Sequence, residues 1–356
     1  MRAPHEVEHL IVRILSGREG KPSPPESAAR FLELCQSHGV SAIILAKLKK
    51  EGISGSGWEG ILQQLEKTRR QYMVRNIYLL DRLRAFHSTL RKAGIPIIVL
   101  KGASLLSLLY TDIGLRPMTD VDVLIRKQDL RETLDLLAND GWQVPHEEEI
   151  KYFHEHFYHL DIRTNDDFAT LFEIHWNLEK ELCHSIEIAG LWERAIDADH
   201  DGDSIRRLSN EDLILHLLIH LAYHHYFSPR LIWVHDIKEM IGRCSLDWDL
   251  LLTLAERWRI RTPVYYSLQY LEKIFPGAVP AEILRRTAIG WMRKRLLRLG
   301  SAPDPLFLTR PFDNRFLRWT TSLYFIDKPI DIIRMVWKHS GPKLQWLSRQ
   351  RKLRAG

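Results

Sequence analysis

Between residues 6 and 93 apolar side chains recur at three- and four-residue steps, the period of an amphipathic helix. Short pieces over 7–15, 27–38 and 43–51 come first, broken by a Gly/Pro/Ser loop over 17–25. A longer pattern over 58–92 puts Met73, Ile77, Leu80, Leu83 and Phe86 on one helix face, and Gly94 supplies a C-terminal cap. The texture then changes. The run 95–100 is short, apolar and β-branched, as in a buried strand, and 121–125 is a second one. A helix is expected over 103–110. Another is expected over 129–139, with Asp129 and Glu132 spaced as a capping box and Gly141 as its stop. Runs 157–163 and 168–177 flank the turn formers Thr164, Asn165, Asp166 and Asp167, which predicts a hairpin. From residue 186 helical periods return over 209–227, 231–244, 248–257 and 264–274, with breaker-rich loops at 276–280 and 301–312. The expected fold is α+β. A small mixed β-sheet core over 94–180 lies between an N-terminal helical region, 1–93, and a C-terminal helical domain, 181–356, ending in a basic tail.

Composition narrows the class. At 45% hydrophobic and 27% charged, the 356 residues describe a globular chain rather than a disordered one. The net charge of +6 favours polyanionic partners, either nucleotides, nucleic acid or an anionic surface. Much of the excess falls late, over 285–298 and 343–354, so the tail is a candidate for weak contact with an anionic surface. Cys35, Cys183 and Cys244 are odd in number and far apart, which excludes a disulfide framework and a zinc-ligand spacing. The first residues lack a signal-peptide apolar region, and no uncharged run reaches the roughly 18 residues of a membrane span, so a cytoplasmic location is expected.

The chemistry-bearing residues gather in the middle. Strand residues alternate faces, so Asp120 and Asp122 project from one side while Val121, Val123 and Ile125 take the other. Two carboxylates that close repel unless a cation lies between them. Mg²⁺ is that cation in phosphoryl chemistry, because it takes hard oxygen ligands and shares itself with phosphates. Glu173, between apolar Phe172 and Ile174, completes the set if its strand lies beside the aspartates. Three carboxylates and two metal ions suit in-line phosphoryl transfer. Upstream, Lys101, Gly102, Ala103 and Ser104 close a strand and open a helix, where free N–H groups and a close backbone approach attract a phosphate. Arg116 can pair with the aspartates or with a phosphate. His175 shares the face of Glu173. His216, His220 and His224 fall at four-residue steps, with His225 beside them, and one or two of them can line the cleft.

The stretch Val99 to Ser104, then Tyr110, then Arg116 to Ile125 with its Asp120 and Asp122, resembles the uncharacterised nucleotidyltransferase family of bacteria, a branch of the polymerase-β nucleotidyltransferase superfamily. The blocks Phe172–Leu178 and Leu231–Ile237 resemble that family's further recurrent segments. The resemblance covers roughly 90 to 245. It implies a nucleotidyltransferase core flanked by helices, metal roles for Asp120, Asp122 and Glu173, and phosphate-side roles for Gly102 and Ser104. The expected reaction moves a nucleoside monophosphate from a nucleoside triphosphate to an unknown acceptor and releases pyrophosphate. Arg230 and Asp236, which flank the third block, can pair with each other or reach the nucleotide.

Two rivals stay open. Ala103 stands directly after Gly102, where the wider superfamily carries Ser or Gly. That altered cradle suits a degenerate nucleotide- or partner-binding protein of the same fold. The basic balance suits a transferase directed at tRNA or another nucleic acid, with salt-sensitive binding as its mark.

Overall fold

The computed structural model describes residues 6–17, 21–179, 184–200, 203–223, 230–291 and 327. The chain starts with α1 (Glu6–Ser16), α2 (Ala28–Ser37) and α3 (Ser41–Lys50). Ser27 caps α2 by accepting from the Arg30 amide at 3.2 Å. α4 (Glu59–Lys92) runs 34 residues, about 51 Å at 1.5 Å per residue. Its buried face is Leu79, Leu83, Phe86 and Leu90, and Ile77 is 52% exposed, so the face lies rotated from the one the spacing predicted. Asn76 takes the inward position there instead. Its amide donates to the carbonyls of Ile113 and Arg116, and its oxygen accepts from the Met118 amide. A polar residue is buried at this point because it fastens a loop.

β1 (Ile98–Val99), α5 (Lys101–Leu109) and β2 (Asp120–Leu124) follow, then α6 (Leu130–Asn139), α7 (Glu147–His156), β3 (His159–Arg163) and β4 (Leu171–His175). The hairpin expected from the turn at 164–167 forms as the antiparallel pair β3–β4. Asp129 precedes α6 without a side-chain cap bond, because a 3-10 turn over Lys127–Asp129 runs straight into the helix and leaves Asp129 in a helical conformation.

The sheet extends beyond residue 180. After α8 (Ile188–Arg194) a hairpin, β5 (Ile196–His200) and β6 (Asp203–Arg207), returns to lay β6 parallel to β1. The six-stranded mixed sheet has the order β3-β4-β2-β1-β6-β5. The rest of the described chain is helical: α9 (Asn210–Tyr223), α10 (Leu231–Arg243), α11 (Trp248–Arg257), α12 (Arg261–Ile274) and α13 (Ala281–Arg286). The mixed α+β architecture agrees with the sequence-based expectation.

Two cores sandwich the sheet. Val99, Val121, Val123, Ile125, Phe172 and Ile174 pack with α4 and α6 on one side. Ile98, Leu100 and Leu124 join α5 and the C-terminal helices on the other. Phe86 stacks on Phe172 at 5.2 Å, and Trp142 meets Phe172 edge-on at 4.9 Å. Among the described residues no helix is long and apolar enough to cross a membrane. Cys35 and Cys244 are free thiols. Cys183, His224, His225, the loop 301–312 and the basic tail lie outside the described residues.

Candidate active site

Strand alternation turns Asp120 and Asp122 away from the valine core, and the parallel pairing of β2 with β4 sets Asp122 opposite Glu173. The antiparallel β3 adds Asp161 opposite Glu173 on the other side. Asp122, Glu173 and Asp161 thus form one carboxylate row across three strands. Beside it His159 pairs in register with His175, and the two rings stack at 5.0 Å.

Two cationic groups lie among these carboxylates. The Lys101 ammonium is 2.6 Å from Asp122 Oδ1 and 3.6 Å from Glu173 Oε2. His175 Nε2 is 3.2 Å from each of the same two oxygens. Lys101 reaches them from a left-handed backbone position, φ +37°, at the turn between β1 and α5. That conformation is uncommon for a side chain with Cβ, and such residues cluster at functional sites. Burial opposes charge on Asp122, but Lys101 and the His175 hydrogen bond outweigh it and hold the carboxyl well below its usual range. Glu173 is lowered in the same way, burial being outweighed chiefly by the His175 hydrogen bond. His175 answers with a raised pKa: burial works against its charge, and the bonds to Asp122 and Glu173 overcome that.

Asp120 is the exception. Burial, with Asp122 and Glu173 nearby, pushes its carboxyl up to about 6, and the Thr119 hydroxyl donates to it at 3.3 Å. His159 moves to about 4 through burial and the facing His175.

The donor set suits a divalent cation. Ligand atoms of Asp122, Glu173 and His175 all lie within 4.8 Å of one another, as do those of His159, Asp161 and Glu173. Carboxylate oxygens on neighbouring strands are what a hard cation takes; Asp120, the third ligand expected from sequence, lies outside both groups, two residues from Asp122 on the same face. His159 and Asp161 were missed from sequence. Their signal was the alternation in His159-Leu160-Asp161-Ile162, which points both toward the site, but only the hairpin register shows that they meet Glu173.

The phosphate-side residues divide. Lys101 and Gly102 are half-buried, whereas Ala103 and Ser104 are buried, and the Ser104 hydroxyl has no hydrogen-bond partner among the described residues. A Cβ on Gly102 would meet Arg116 Nη1 at 3.0 Å and Met118 at 3.4 Å, so the close approach this glycine permits is that of Arg116. Arg116 does not pair with Asp120. Its Nε and Nη2 both reach Asp236 Oδ2, at 3.0 and 2.9 Å, and the Tyr110 hydroxyl donates to Asp236 Oδ1 at 2.6 Å. Asp236 is fully buried in this contact, which clamps the loop before β2 to α10. Burial opposes charge on Arg116, and Asp236 more than restores it, whereas on Asp236 burial outweighs Arg116 and Tyr110 and raises the carboxyl. Arg230 is not the partner of Asp236. It donates to the Ser37 carbonyl at 2.9 Å, at the C-terminal end of α2. Arg75 completes the bracing from α4 by donating to the carbonyls of Met118 and Thr119 at 3.0 and 2.8 Å. His216 is buried, and burial with Lys101 nearby keeps it neutral.

No curated protein sequence matches the chain. One solved structure with 16% sequence identity and a TM-score of 0.35 is an antigenic nucleotidyltransferase-like protein from Paracoccidioides brasiliensis. The similarity covers 58% of this chain and 92% of that one. The profile of the uncharacterised nucleotidyltransferase family matches residues 24–276, a span that holds β1 to β6, the carboxylate row and the Arg116–Asp236 clamp, and the chain belongs to that family.

Proposed function

We propose that the protein is a Mg²⁺-dependent nucleotidyltransferase of the polymerase-β type, which moves a nucleoside monophosphate from a nucleoside triphosphate to an acceptor and releases pyrophosphate. The observation that carries this reading is the register of β2 on β4, which sets Asp122 against Glu173 with Asp120 two residues away on the same face. Asp120, Asp122 and Glu173 would hold the metal. Mg²⁺, when bound there, supplies charge neutralisation at the phosphates and lowers the pKa of the attacking oxygen.

The chain's own residues do the positioning. His175 donates to Asp122 and Glu173 and fixes their orientation. Lys101, once displaced from Asp122, is the ammonium within reach of a phosphate, next to the half-buried Gly102 backbone. Arg116, Asp236 and Tyr110 hold the loop that delivers Asp120, and Arg230 holds α10 against the N-terminal helices. These three charged residues therefore serve nucleotide binding by bracing. In the reaction a bond forms between the acceptor oxygen and the α-phosphorus, the bond from that phosphorus to the bridging oxygen breaks, and pyrophosphate leaves. Catalysis would rest on positioning and charge neutralisation.

The test is pyrophosphate release from a panel of nucleoside triphosphates with Mg²⁺ and candidate acceptors. Asp122→Ala should abolish release. An Asp120→Ala/Asp122→Ala protein that transfers at the wild-type rate would defeat the proposal. A second reading, nucleotide binding without turnover, is favoured by one observation: Lys101 lies where a cation would go, at 2.6 Å from Asp122. Calorimetry with ATP or CTP, with and without Mg²⁺, decides: binding with no pyrophosphate released under any condition selects this second reading.

A further inference from the structure

An open groove of about 850 Å³ runs along the outer face of α4, lined by Lys67, Arg70, Val74, Arg75 and Tyr78 among others, with Phe168 closing one end. Lys67, Arg70, Val74 and Tyr78 fall three to four residues apart, with Arg75 beside Val74, so they form one stripe. From Lys67 to Tyr78 the stripe extends about 16 Å at 1.5 Å per residue. Val74 is 62% exposed and Phe168 63%, and the Phe168 ring lies 4.5 Å from that of Tyr78. Large apolar groups left open to water mark a surface that something covers.

Charge says what kind of partner. The acidic residue in the lining, Glu66, is neutralised by Lys49 at 2.8 Å and Arg69 at 2.9 Å, and it approaches Arg70 at 3.5 Å. Lys67 and Arg75 have no carboxylate within ion-pair distance among the described residues, and Arg75 spends two of its donors on carbonyls. The groove therefore presents the positive charge of Lys67, Arg70 and Arg75 along an apolar floor, with Asp166 bonded to the Tyr78 hydroxyl and the Phe168 amide at its aromatic end. An acidic peptide would use the cations but leave the aromatic pair without a planar partner. A single-stranded nucleic acid uses both, with phosphates on the cations and a base on the ring face.

The groove reaches the loop that leads into β2. Arg75 lines it and donates to the Thr119 carbonyl, one residue before Asp120. Phe168, packed on Tyr78 one turn from Arg75, stands three residues before Leu171, the register partner of Asp120. Both residues thus lie near the start of β2, while Asp122 and Glu173 project from the face of the sheet turned away from α4.

We propose that this α4 groove binds a single-stranded RNA segment. The binding site stands independently of the transferase reading given above. Lys67, Arg70 and Arg75 take the phosphates, and Phe168 with Tyr78 stacks a base.

The test is fluorescence anisotropy of a labelled single-stranded RNA with full-length protein across a salt series, beside calorimetry of nucleoside triphosphate with Mg²⁺. Wild type should bind RNA with an affinity that falls steeply as salt rises. Phe168→Ala should weaken RNA binding by about tenfold, the scale of one lost stacked base. A Lys67→Glu/Arg70→Glu protein should weaken it further and flatten the salt dependence. Both variants should keep the wild-type melting temperature and triphosphate binding. No RNA binding at low salt, or binding that ignores both variants, overturns the proposal. So does a wild-type dimer that Phe168→Ala converts to a monomer in sedimentation, because the groove would then be a contact between two copies. RNA binding that tracks these variants while no triphosphate binds would uphold the groove and fail the transferase reading, so the two failures are distinct.

Discussion

The Lys101 ammonium stands 2.6 Å from Asp122, inside the same set of oxygens that would receive a divalent cation. The side chain and the ion are competitors for one place. Replacing Lys101 by Met removes the resident charge and leaves buried Asp122 less compensated, a change that costs about 3 kcal/mol or more when a buried pair is broken. Lys101→Met should therefore melt several degrees below wild type in chelator, and millimolar Mg²⁺ should raise its melting temperature more than it raises that of wild type. Equal Mg²⁺ responses in thermal scans would show that the two cations do not share the place.

Asp120 gives the site a pH dependence. Its carboxyl titrates near 6 in the folded chain against an ordinary 3.8. A metal must displace the proton, so Mn²⁺ affinity should climb from about pH 5 to about pH 7 and then level. Metal-free stability runs the other way. The fold retains a proton that the unfolded chain has already released, so stability declines as pH rises from about 4 to about 6. Asp120→Asn should flatten both curves. Titration calorimetry and denaturant melts at several pH values check them.

The Arg116–Asp236 pair is a structural bond by its burial. Asp236→Ala would strand an arginine that is only 6% exposed, and breaking such a pair costs about 3–5 kcal/mol. Urea unfolding should show that loss. Asp236→Asn, which can still accept from Arg116 and Tyr110, should lose less.

Phe172 lies between Phe86 and Trp142, next in sequence to Glu173. Phe172→Ala should cost about 3–5 kcal/mol through the cavity it leaves. It should also change the tryptophan fluorescence of the native state through Trp142.

The parts that could be read from the sequence were those whose periodicity is set by burial on one side. β2 shows this plainly: Val121 and Val123 must face a core, which forces Asp120 and Asp122 outward together. The turn at 164–167 fixed a hairpin, and with it the face of Glu173. What stayed hidden depended on partners distant in the chain. Arg116 reaches across 120 positions to Asp236, and no local pattern specifies that choice. β5 and β6 were read as helical territory because their sequences are mostly polar, with Ile205 as their fully buried apolar anchor, so the alternation that betrays a strand is weak. α7 opens with three glutamates and has no fully buried residue, and Ile150 and Phe153, packed against the core, make only a short apolar stripe.

The return of β6 to the two-residue strand β1 has a practical consequence for anyone dissecting this chain. A fragment cut at residue 180 would keep all the carboxylates of the row and still lose one flank of Ile98 and Val99, whose backbone groups would then face water along a bare, apolar margin. Such a piece should stick to its own copies rather than work alone. Swapping this sheet between proteins would require carrying the segment through Arg207 as well.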